Sequence, residues 1–341
     1  MKRRVARLVG PKKFEVFEEP IPAIKEDEVL LRILSCGLCQ SDMPTYHGES
    51  DMVVAEDGSY IVKPNVDYPV ELGHEPVAIV EDVGKSVNGF KPGDYAGGMM
   101  GGCFASHIVC DTSLLVRLPD GIKEPKYCLT EPLSCISNIV RAANPEFGDY
   151  VAVVGCGMMG LMCVAGLSRS SAREVIGIDL VDSRLEWAKK MGATRTINPQ
   201  KTDVVAEVNE ITNGSGVDVV VEITGRLAGL GLACDIVRTA SYLGYQGRGK
   251  ILMPSLYAGR QTMDESTGYQ LMLKSPILHS THPWYSHDLM EDARRGVWGY
   301  ASGLIPLDKI ITHEFSLDEI EKGFNIAETG TDNYIKGIVV P

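Results

Sequence analysis

The sequence predicts an α/β protein of two lobes, in which a β-rich lobe precedes a doubly wound parallel sheet. The length of 341 residues exceeds the roughly 250 to 300 residues at which chains divide into separate cores. Residues 14–34 and 60–120 alternate short runs of Val, Ile and Leu with Gly, Pro and Asp turns, a spacing typical of a barrel-like β lobe. From Gly148 onward, strand patterns alternate with helix patterns, which indicates a parallel sheet with helices on both faces.

Composition and charge indicate a packed protein with a small-molecule partner. Hydrophobic residues make up 44% of the chain and charged residues 23%, as in ordinary globular domains. The formal net charge of −12 disfavours a broad nucleic-acid-binding surface and an anionic membrane, because both require clustered Lys and Arg. We therefore expect no nucleic-acid partner and no membrane.

Cysteine usage and the N-terminal segment indicate the compartment. The nine cysteines are odd in number and scattered, which does not fit the disulfide framework of a small secreted domain. The opening segment has a basic tip but lacks the apolar core of a signal peptide, since it reads "MKRRVARLVGPKKF". These features predict a cytoplasmic protein.

Residues 150–167 carry no charge over eighteen positions, "YVAVVGCGMMGLMCVAGL", a length at which a membrane span is suspected. Four glycines interrupt the segment, its first third is a Val-rich strand pattern, and its flanks lack aromatic and basic anchors. It therefore predicts a buried strand, a tight turn and a buried helix.

A helix is predicted over the segment "SRLEWAKKMGA". Its apolar residues recur at helical spacing, at Leu185, Ala188 and Met191. Ser183 is the predicted N-cap and Gly192 the predicted end. The last residues of the chain, "ITHEFSLDEIEKGFNIAETGTDNYIKGIVVP", end in an apolar strand pattern, which suggests that the tail rejoins the first lobe.

A dinucleotide-binding turn is predicted at Gly155, Gly157 and Gly160, which have the GxGxxG spacing directly after a strand and at the start of a helix. Asp179 closes the next strand, where an acid accepts hydrogen bonds from an adenosine ribose. In this hypothesis the first glycine makes the turn, the second admits the pyrophosphate and the third allows close packing of the helix. A glycine-rich buried turn beside an exposed acid is the plainer alternative. The predicted cofactor-binding set also contains Met158, Met159 and Arg184.

The same residues favour NAD over NADP. A carboxylate at Asp179 repels a 2′-phosphate, and Leu180 offers no cation to bind one. Arg184 neutralises part of that charge, so NADP is the less favoured alternative.

The segment "SCGLCQSD" places Cys36 and Cys39 three residues apart. A redox dithiol requires such a pair between the strand and helix of a small βαβ fold, and this pair follows a strand of the β-rich lobe. A closed structural zinc site requires a second pair of Cys or His, which the sequence lacks downstream. An open site with dispersed ligands is the third interpretation.

Candidate partners for Cys39 are His74 and Glu75 in "ELGHEP", and Glu131 in "TEPLSC". Cys, His and Glu together with a water make a tetrahedral catalytic zinc site. Taken singly, a residue such as His74 is more often a hydrogen-bonded surface or core residue, and one such as Glu131 is more often a carboxylate at a helix start. Their combination with a dinucleotide-binding turn favours the metal.

The chain resembles the medium-chain, zinc-dependent alcohol dehydrogenase superfamily, and within it the sorbitol (polyol), threonine and glucose dehydrogenase branch. The resemblance covers nearly the whole chain and rests on four motifs, "EVLLRILSCGLCQSD", "GHEPVAIVEDVGKSVNGFKPGD", "EPLSC" and "GCGMMG…ID". It implies a GroES-like catalytic domain over residues 1–141 plus 282–341. It also implies a Rossmann NAD-binding domain over residues 142–281.

The resemblance implies one catalytic zinc per chain, with Cys39 and His74 as ligands and Cys36 outside the set. Glu131 sits where the branch places its acidic ligand or water-bridged carboxylate, and Glu75 is the alternative. Ser41 would be the first proton acceptor, and Asp42 a buried support of the site. The predicted catalytic set is therefore Cys39, Ser41, His74 and Glu131.

The sequence departs from the family pattern in three places. Many relatives carry a structural zinc bound by four closely spaced cysteines, whereas residues 95–103 read "YAGGMMGGC". Cys103 and Cys110 cannot form that set, so we expect no structural zinc; the Gly-rich loop could be mobile near a cleft or a plain turn. Many relatives also have a relay His where this chain has Pro44, and the remaining relay candidates are Thr45, Tyr46, His47, the cofactor ribose and water. The longer segment 48–73 is interpreted as a substrate-side loop, with a surface insertion as the alternative.

The resulting hypothesis is reversible oxidation of a secondary alcohol, in a polyol, sugar or amino alcohol, with hydride transfer to NAD and with zinc as the Lewis acid. The alternatives are a zinc-free reductase of the same superfamily, a lyase or epimerase that uses tightly bound NAD transiently, and an inactive binding protein on the same fold. The resemblance also implies a homodimer or homotetramer.

Overall fold

A computed structural model describes residues 1–54, 60–239, 249–257, 261–282 and 286–341, with the backbone alone at 51–54 and 60–61. The chain forms two compact units, one of Met1–Leu133 with Leu307–Pro341 and the other of Ser134–Pro306. The first boundary expected from the sequence, 141/142, falls near the end of the helix Thr130–Ala143. The second, 281/282, falls just after the strand Ile277–Ser280, inside the second unit.

Strands dominate the first unit up to Leu133. They are β1 (Lys2–Gly10), β2 (Lys13–Pro20), β3 (Glu28–Gly37), β4 (Asp51–Val54), β5 (Tyr60–Lys63), β6 (Val70–Glu71), β7 (Pro76–Val83), β8 (Tyr95–Gly98), β9 (His107–Asp111) and β10 (Leu115–Arg117). The helices of this part are α1 (Met43–His47) and α2 (Thr130–Ala143), of which α2 continues into the second unit.

Strands and helices alternate in the second unit. The strands are β11 (Tyr150–Val154), β12 (Glu174–Ile178), β13 (Arg195–Ile197), β14 (Val219–Glu222), β15 (Lys250–Met253) and β16 (Ile277–Ser280). The helices are α3 (Met158–Leu167), α4 (Asp182–Met191), α5 (Val204–Thr212), α6 (Leu227–Ile236), α7 (Glu265–Lys274) and α8 (Leu289–Ala301).

The second unit is built on a parallel sheet in the order β13-β12-β11-β14-β15-β16. The order reverses between β11 and β14, which is the switch point at which open α/β sheets bind ligands beyond their carboxyl ends. The α/β class with a doubly wound parallel sheet is therefore confirmed. The uncharged segment 150–167 forms β11, a turn and the whole of α3, which is buried from Gly160 onward. Among the described residues no helix is long and apolar enough to cross a bilayer.

The chain then returns to the first unit through β17 (Ile311–Ser316), α9 (Ile320–Thr329) and β18 (Lys336–Val340). There β18 pairs antiparallel with β3, in the sheet β10-β8-β7-β3-β18-β17, which β9 joins through β3. A smaller sheet has the order β2-β1-β6. The C-terminal strand thus lies beside the strand that leads into "SCGLCQSD".

Each unit has its own apolar core. Phe104 and Phe324 are fully buried in the first unit, with ring centroids 5.8 Å apart at 81°. The second core packs fully buried strand residues such as Ile176 and Val220 against helix residues such as Ala233. Burial of each large side chain stabilises the fold by about 1.5–3 kcal/mol, so the strands that carry the polar sites rest on rigid layers.

The helix predicted from "SRLEWAKKMGA" is present, but its predicted N-cap is wrong. Leu185, Ala188 and Met191 are buried, and Gly192 ends the helix in the left-handed region at φ 108°. The helix begins at Asp182, so Ser183 lies within the first turn rather than at the cap. The Asp182 carboxylate is held by Asn198 and Lys201, at 2.8 and 2.5 Å, which places it at the positive end of the helix dipole.

Candidate metal centre and dinucleotide-binding turn

The end of one strand and the start of another position the candidate metal ligands in the first unit. Cys39 follows β3, and His74 with Glu75 immediately precedes β7. Because β3 and β7 are antiparallel, with Cys36 opposite Pro76, the end of one strand meets the start of the other. The Gly37 amide donates to the Glu75 carbonyl at 3.1 Å, which fixes this junction.

Two glycines allow the strand ends to approach each other. Gly73 has φ 90°, and a Cβ there would lie 2.9 Å from the Phe104 ring and 3.0 Å from the Cys36 sulfur. A Cβ at Gly37 would overlap the Glu75 carboxylate. Both positions therefore require glycine to bring His74 and Glu75 to Cys39.

The structure brings Cys39, His74 and Glu75 together, with one potential ligand atom of each lying within 4.8 Å of the others. The Glu75 carboxylate is 1% exposed, and its Oε1 has no hydrogen-bond partner, an arrangement that costs about 1–3 kcal/mol unless a ligand satisfies it. A thiolate, an imidazole and a carboxylate are the donor set of zinc. The donor set and the unsatisfied oxygen both fit a zinc ion.

Ser41 and Asp42 organise the other side of this group. The Ser41 hydroxyl donates to the Cys39 sulfur at 3.2 Å and lies 3.3 Å from His74 Nε2. The His74 Nδ1 lies 3.2 Å from the buried carboxylate of Asp42. A carboxylate on one ring nitrogen orients the imidazole and directs the other nitrogen toward a metal.

Lys336 of β18 supplies a buried positive charge beside Glu75. Its Nζ lies 2.5 Å from Glu75 Oε2 and donates to the Leu38 carbonyl at 2.8 Å, and the lysine is 2% exposed. No motif points to this residue; its only signal in the sequence is a lysine inside the apolar strand pattern "YIKGIVV".

The buried charges shift one another's protonation. Burial alone lowers the pKa of His74, but the Asp42 carboxylate and the Cys39 sulfur more than offset it and raise that pKa. Burial likewise opposes the charge on Lys336, whereas Glu75 and Cys39 raise its pKa above the ordinary value. Negative charge therefore dominates around these side chains, as expected at a site for a cation.

The predicted ligand Glu131 lies in the first turn of α2 and is not a member of the close group of Cys39, His74 and Glu75 among the described residues. Cys36 is fully buried, and burial together with Cys103 raises the pKa of its thiol, which makes it unreactive. All nine cysteines are among the described residues, and none forms a disulfide.

The segment "YAGGMMGGC" forms β8 and the turn after it. The Cys103 thiol is buried there and donates to the Met100 carbonyl at 3.2 Å. Segment 48–73, which was expected to be a loop, contains the antiparallel pair β4 and β5. Part of it, residues 55–59, lies outside the described residues.

The candidates for a proton relay beyond Ser41 have contacts elsewhere. Tyr46 is buried among aromatic rings, with its ring centroid 4.7 Å from that of Phe324. His47 Nε2 lies 3.0 Å from Glu328 Oε1, and the Thr45 hydroxyl donates to the Ser50 carbonyl at 3.2 Å. These contacts favour neither Tyr46 nor His47 as the partner of Ser41.

The glycine turn in the second unit has the backbone geometry of an anion site. Gly155 has φ 100°, and a Cβ at Gly160 would overlap the Gly155 carbonyl oxygen. Gly157 precedes α3, and a Cβ there would meet no atom within 4 Å. Met158 and Met159 form the first turn of α3, where free backbone N–H groups and the helix dipole favour phosphate. The open space at Gly157 fits a dinucleotide pyrophosphate.

Asp179 directly follows β12 and is 8% exposed. Its Oδ2 accepts from the Cys156 amide at 2.7 Å, and its Oδ1 accepts from the Val181 amide at 2.9 Å. The acid is therefore fixed beside the glycine turn, with acceptor capacity remaining on both oxygens. The nearest Arg184 nitrogen lies 3.9 Å from Oδ2, and Leu180 is 55% exposed.

Family models match both units of the chain. The alcohol dehydrogenase GroES-like domain matches residues 25–120, and the zinc-binding dehydrogenase model matches residues 159–270. The first match contains Cys39, His74 and Glu75. The chain belongs to the medium-chain zinc-dependent alcohol dehydrogenase superfamily. Membership confirms the predicted oxidoreductase class and the GroES-like and Rossmann domain types.

Relatives match over nearly the full length of the chain. The L-threonine 3-dehydrogenase of Bacillus subtilis (strain 168) is 28% identical in an alignment of 341 positions. That alignment covers 92% of this chain and 91% of the relative. The sorbitol dehydrogenase of the same organism is 26% identical, with coverage of 99% and 97%. A crystal structure from Sinorhizobium meliloti 1021, bound to NADP, has a TM-score of 0.81 and 23% identity over 100% of both chains, which shows a shared fold.

Proposed function

We propose that the protein is a zinc-dependent dehydrogenase that reversibly oxidises a secondary alcohol to a ketone, with hydride transfer to NAD. The observation that carries the proposal is the close group of Cys39, His74 and Glu75 in a chain that also carries an open glycine turn. A zinc ion supplies Lewis acidity, which lowers the pKa of a hydroxyl group that it polarises.

The residues of the first unit would hold the metal and handle the proton. Cys39 and His74 are the proposed ligands in either version of the site. Glu75 is favoured as the third, because its carboxylate lies within reach of both, and Glu131 is the alternative. Ser41, in contact with Cys39 and His74, is placed to accept the proton of a substrate hydroxyl. Asp42 holds the His74 ring in orientation.

The residues of the second unit would bind the cofactor. Gly157 leaves room for the pyrophosphate, and the N–H groups of Met158 and Met159 lie at the positive end of α3, where they would bind it. Asp179 would accept hydrogen bonds from the adenosine ribose, and its carboxylate disfavours a 2′-phosphate. We therefore propose NAD as the better cofactor, with NADP as the alternative and Arg184 as the group that would tolerate it.

The substrate class is a polyol, a sugar or an amino alcohol. Threonine and sorbitol dehydrogenases, the relatives named above, act on hydroxyl-rich or amino-bearing secondary alcohols by their names. A compact small-molecule substrate also agrees with the net charge of −12. We further propose a cytoplasmic enzyme with one zinc ion per chain and no structural zinc.

We propose that the protein assembles as a homodimer or homotetramer. Strand β16 is the outer strand of its sheet, and an exposed apolar edge is a pairing surface. The apolar side chains at this edge and on α7 that are 46–65% exposed are Tyr269, Met272, Leu273, Ile277 and Leu278. Light scattering on the purified protein tests this, and a monomer at micromolar concentration would contradict it.

The decisive experiment is a panel of polyols, sugars and amino alcohols with NAD or NADP, in which NADH or NADPH absorbance is followed before and after removal of zinc by a chelator. We expect NADH formation with a secondary alcohol and its loss on chelation, with recovery when zinc is restored. Activity that survives complete removal of zinc favours a zinc-free reductase. Substrate turnover without net NADH favours a lyase or epimerase, and zinc binding without turnover favours an inactive binding protein.

A further inference from the structure

Glu222, the last residue of β14, is a buried carboxylate that is held by neutral donors. It is 0% exposed, and its Oε1 accepts from the Thr224 amide at 2.9 Å and from the Thr224 hydroxyl. Its Oε2 accepts from the Tyr257 hydroxyl. In the part of the chain that the structure describes, its donors are the neutral groups of Thr224 and Tyr257. These hydrogen bonds hold the buried carboxylate in one position.

The surroundings are built to keep this carboxylate in place. Burial, and then the hydrogen bond to Glu222, raise the pKa of Tyr257, so its hydroxyl remains protonated and donates. A Cβ at Gly229 of α6 would lie 2.5 Å from Glu222 Oε1. The absence of a side chain at Gly229 therefore lets α6 pack directly against the carboxylate.

Glu222 adjoins the glycine turn. It pairs with Val154, the residue before Gly155, where β14 lies beside β11. A Cβ at Gly155 would lie 3.0 Å from the methyl group of Thr224. The residue that donates twice to the Glu222 carboxylate therefore packs against the turn that would bind the pyrophosphate.

The strand order indicates which half of a dinucleotide lies near Glu222. Asp179 follows β12, on one side of β11, and would bind the adenosine ribose. The other half must then extend over β14 and β15, on the opposite side of the switch point. The oxidised nicotinamide ring carries a positive charge, whereas the reduced ring is neutral.

We propose that Glu222 is a positioning residue that sets the preference of the site between the two redox forms of the cofactor. Its buried negative charge stabilises the oxidised ring relative to the reduced ring, and Thr224 and Tyr257 hold the carboxylate in place. This inference rests on the proposed NAD-dependent function. Its consequence is weaker retention of NADH, which favours product release during alcohol oxidation.

The test compares the dissociation constants of NADH, NAD⁺ and ADP-ribose for the wild type and for Glu222→Gln. NADH binding is followed by its fluorescence, and the other two ligands are measured by competition. We expect the Kd of NADH to fall roughly tenfold relative to that of NAD⁺ in the variant, as for the loss of one charge acting through a protein interior. ADP-ribose, which lacks the ring, reports any change common to all three ligands.

Two tyrosine variants separate charge from packing. Tyr257→Phe removes one hydrogen bond but retains the carboxylate. The ratio of the Kd for NADH to the Kd for NAD⁺ should therefore remain near that of the wild type. Tyr150→Phe removes a hydroxyl at the opposite end of the sheet, where Tyr150 begins β11, and should change no Kd.

Each outcome decides the question. If the ratio of the Kd for NADH to that for NAD⁺ is unchanged in Glu222→Gln, or if the Kd values of all three ligands change equally, the inference is overturned while the proposed function stands. A wild type that binds none of the three ligands overturns the proposed function itself. Glu222→Met, a neutral side chain of similar length, replaces Glu222→Gln if the latter does not unfold cooperatively. If neither folds, the carboxylate is structural and the inference is wrong.

Discussion

The two candidate sites of this protein use different parts of the polypeptide. The candidate metal centre gathers side chains from the end of β3, the start of β7 and the start of β18, which lie far apart in sequence. The dinucleotide-binding turn uses the backbone of six consecutive residues, Gly155 to Gly160. A metal needs charged donor atoms at fixed distances, whereas a phosphate needs N–H groups and space. Substitutions should therefore act on the first site through lost charges and on the second through lost space.

The largest effect is expected at the metal centre. Cys39→Ala removes a proposed ligand, so bound zinc should be lost and alcohol oxidation should fall by about a thousandfold, since Lewis-acid stabilisation amounts to several kcal/mol. Mass spectrometry measures the bound zinc, and the rate of NADH formation measures alcohol oxidation. Cys36→Ala is the matched control, because this thiol is buried outside the group, and it should retain zinc and activity. Full zinc content in Cys39→Ala would contradict the ligand assignment.

The next largest effect is expected on stability, from the buried ion pair of Lys336 and Glu75. In the zinc-free protein, Lys336→Met leaves Glu75 as a buried charge without its partner, and the free energy of unfolding, measured in urea, should fall by about 3–5 kcal/mol. Glu75→Gln in the same chain should restore part of this loss. Lys201→Met is the control, because Lys201 and Asp182 form an exposed pair, and solvent screens such a pair so strongly that its loss should leave the free energy of unfolding nearly unchanged. If Lys336→Met and Lys201→Met lower the free energy of unfolding equally, burial of the pair does not matter here.

At the glycine turn, Gly157→Ala should weaken NADH binding without unfolding the protein. The new Cβ meets no protein atom within 4 Å, so Tm should be unchanged, while the methyl group occupies the space proposed for the pyrophosphate. We expect roughly a tenfold or greater rise in Kd, about 1.4 kcal/mol or more. Gly268→Ala in α7 also meets no atom within 4 Å and should bind NADH normally. Wild-type affinity in Gly157→Ala would place the phosphate elsewhere.

The smallest effect is expected away from both sites. Asp203 caps α5 by accepting from the amides of Val205 and Ala206 at 2.9 and 3.2 Å. Asp203→Ala should lower the free energy of unfolding by about 1 kcal/mol, while zinc content and NADH affinity stay unchanged. Loss of either ligand in this variant would mean that general destabilisation, rather than local chemistry, explains the other results.

The fold class and the main motifs could be predicted because their signals are local. Gly155 directly follows β11 and Gly160 lies in the first turn of α3, and Leu185, Ala188 and Met191 mark one helix face. The prediction of Ser183 as the N-cap was wrong because the hydrogen bond between Asn198 and Asp182, which lies in the first turn, is a tertiary contact that the local sequence does not show.

The choice between Glu75 and Glu131 could not be made from the sequence. Both acids lie in motifs of the right type, and only the register of β3 against β7, with glycines at 37 and 73, brings Glu75 to Cys39. Neither periodicity nor spacing reports such a register.

The sequence by itself determined the two-lobed α/β class, the glycine turn with its acid, and the candidate ligands Cys39 and His74, because each is written in a few neighbouring residues. Only the tertiary structure decided the pairing of Glu75 with Lys336 and of Glu222 with Tyr257. The physical reason is that a buried charge takes its partner from whichever strand or segment packs beside it, and that neighbour is set by the order of strands in the sheet rather than by distance along the chain.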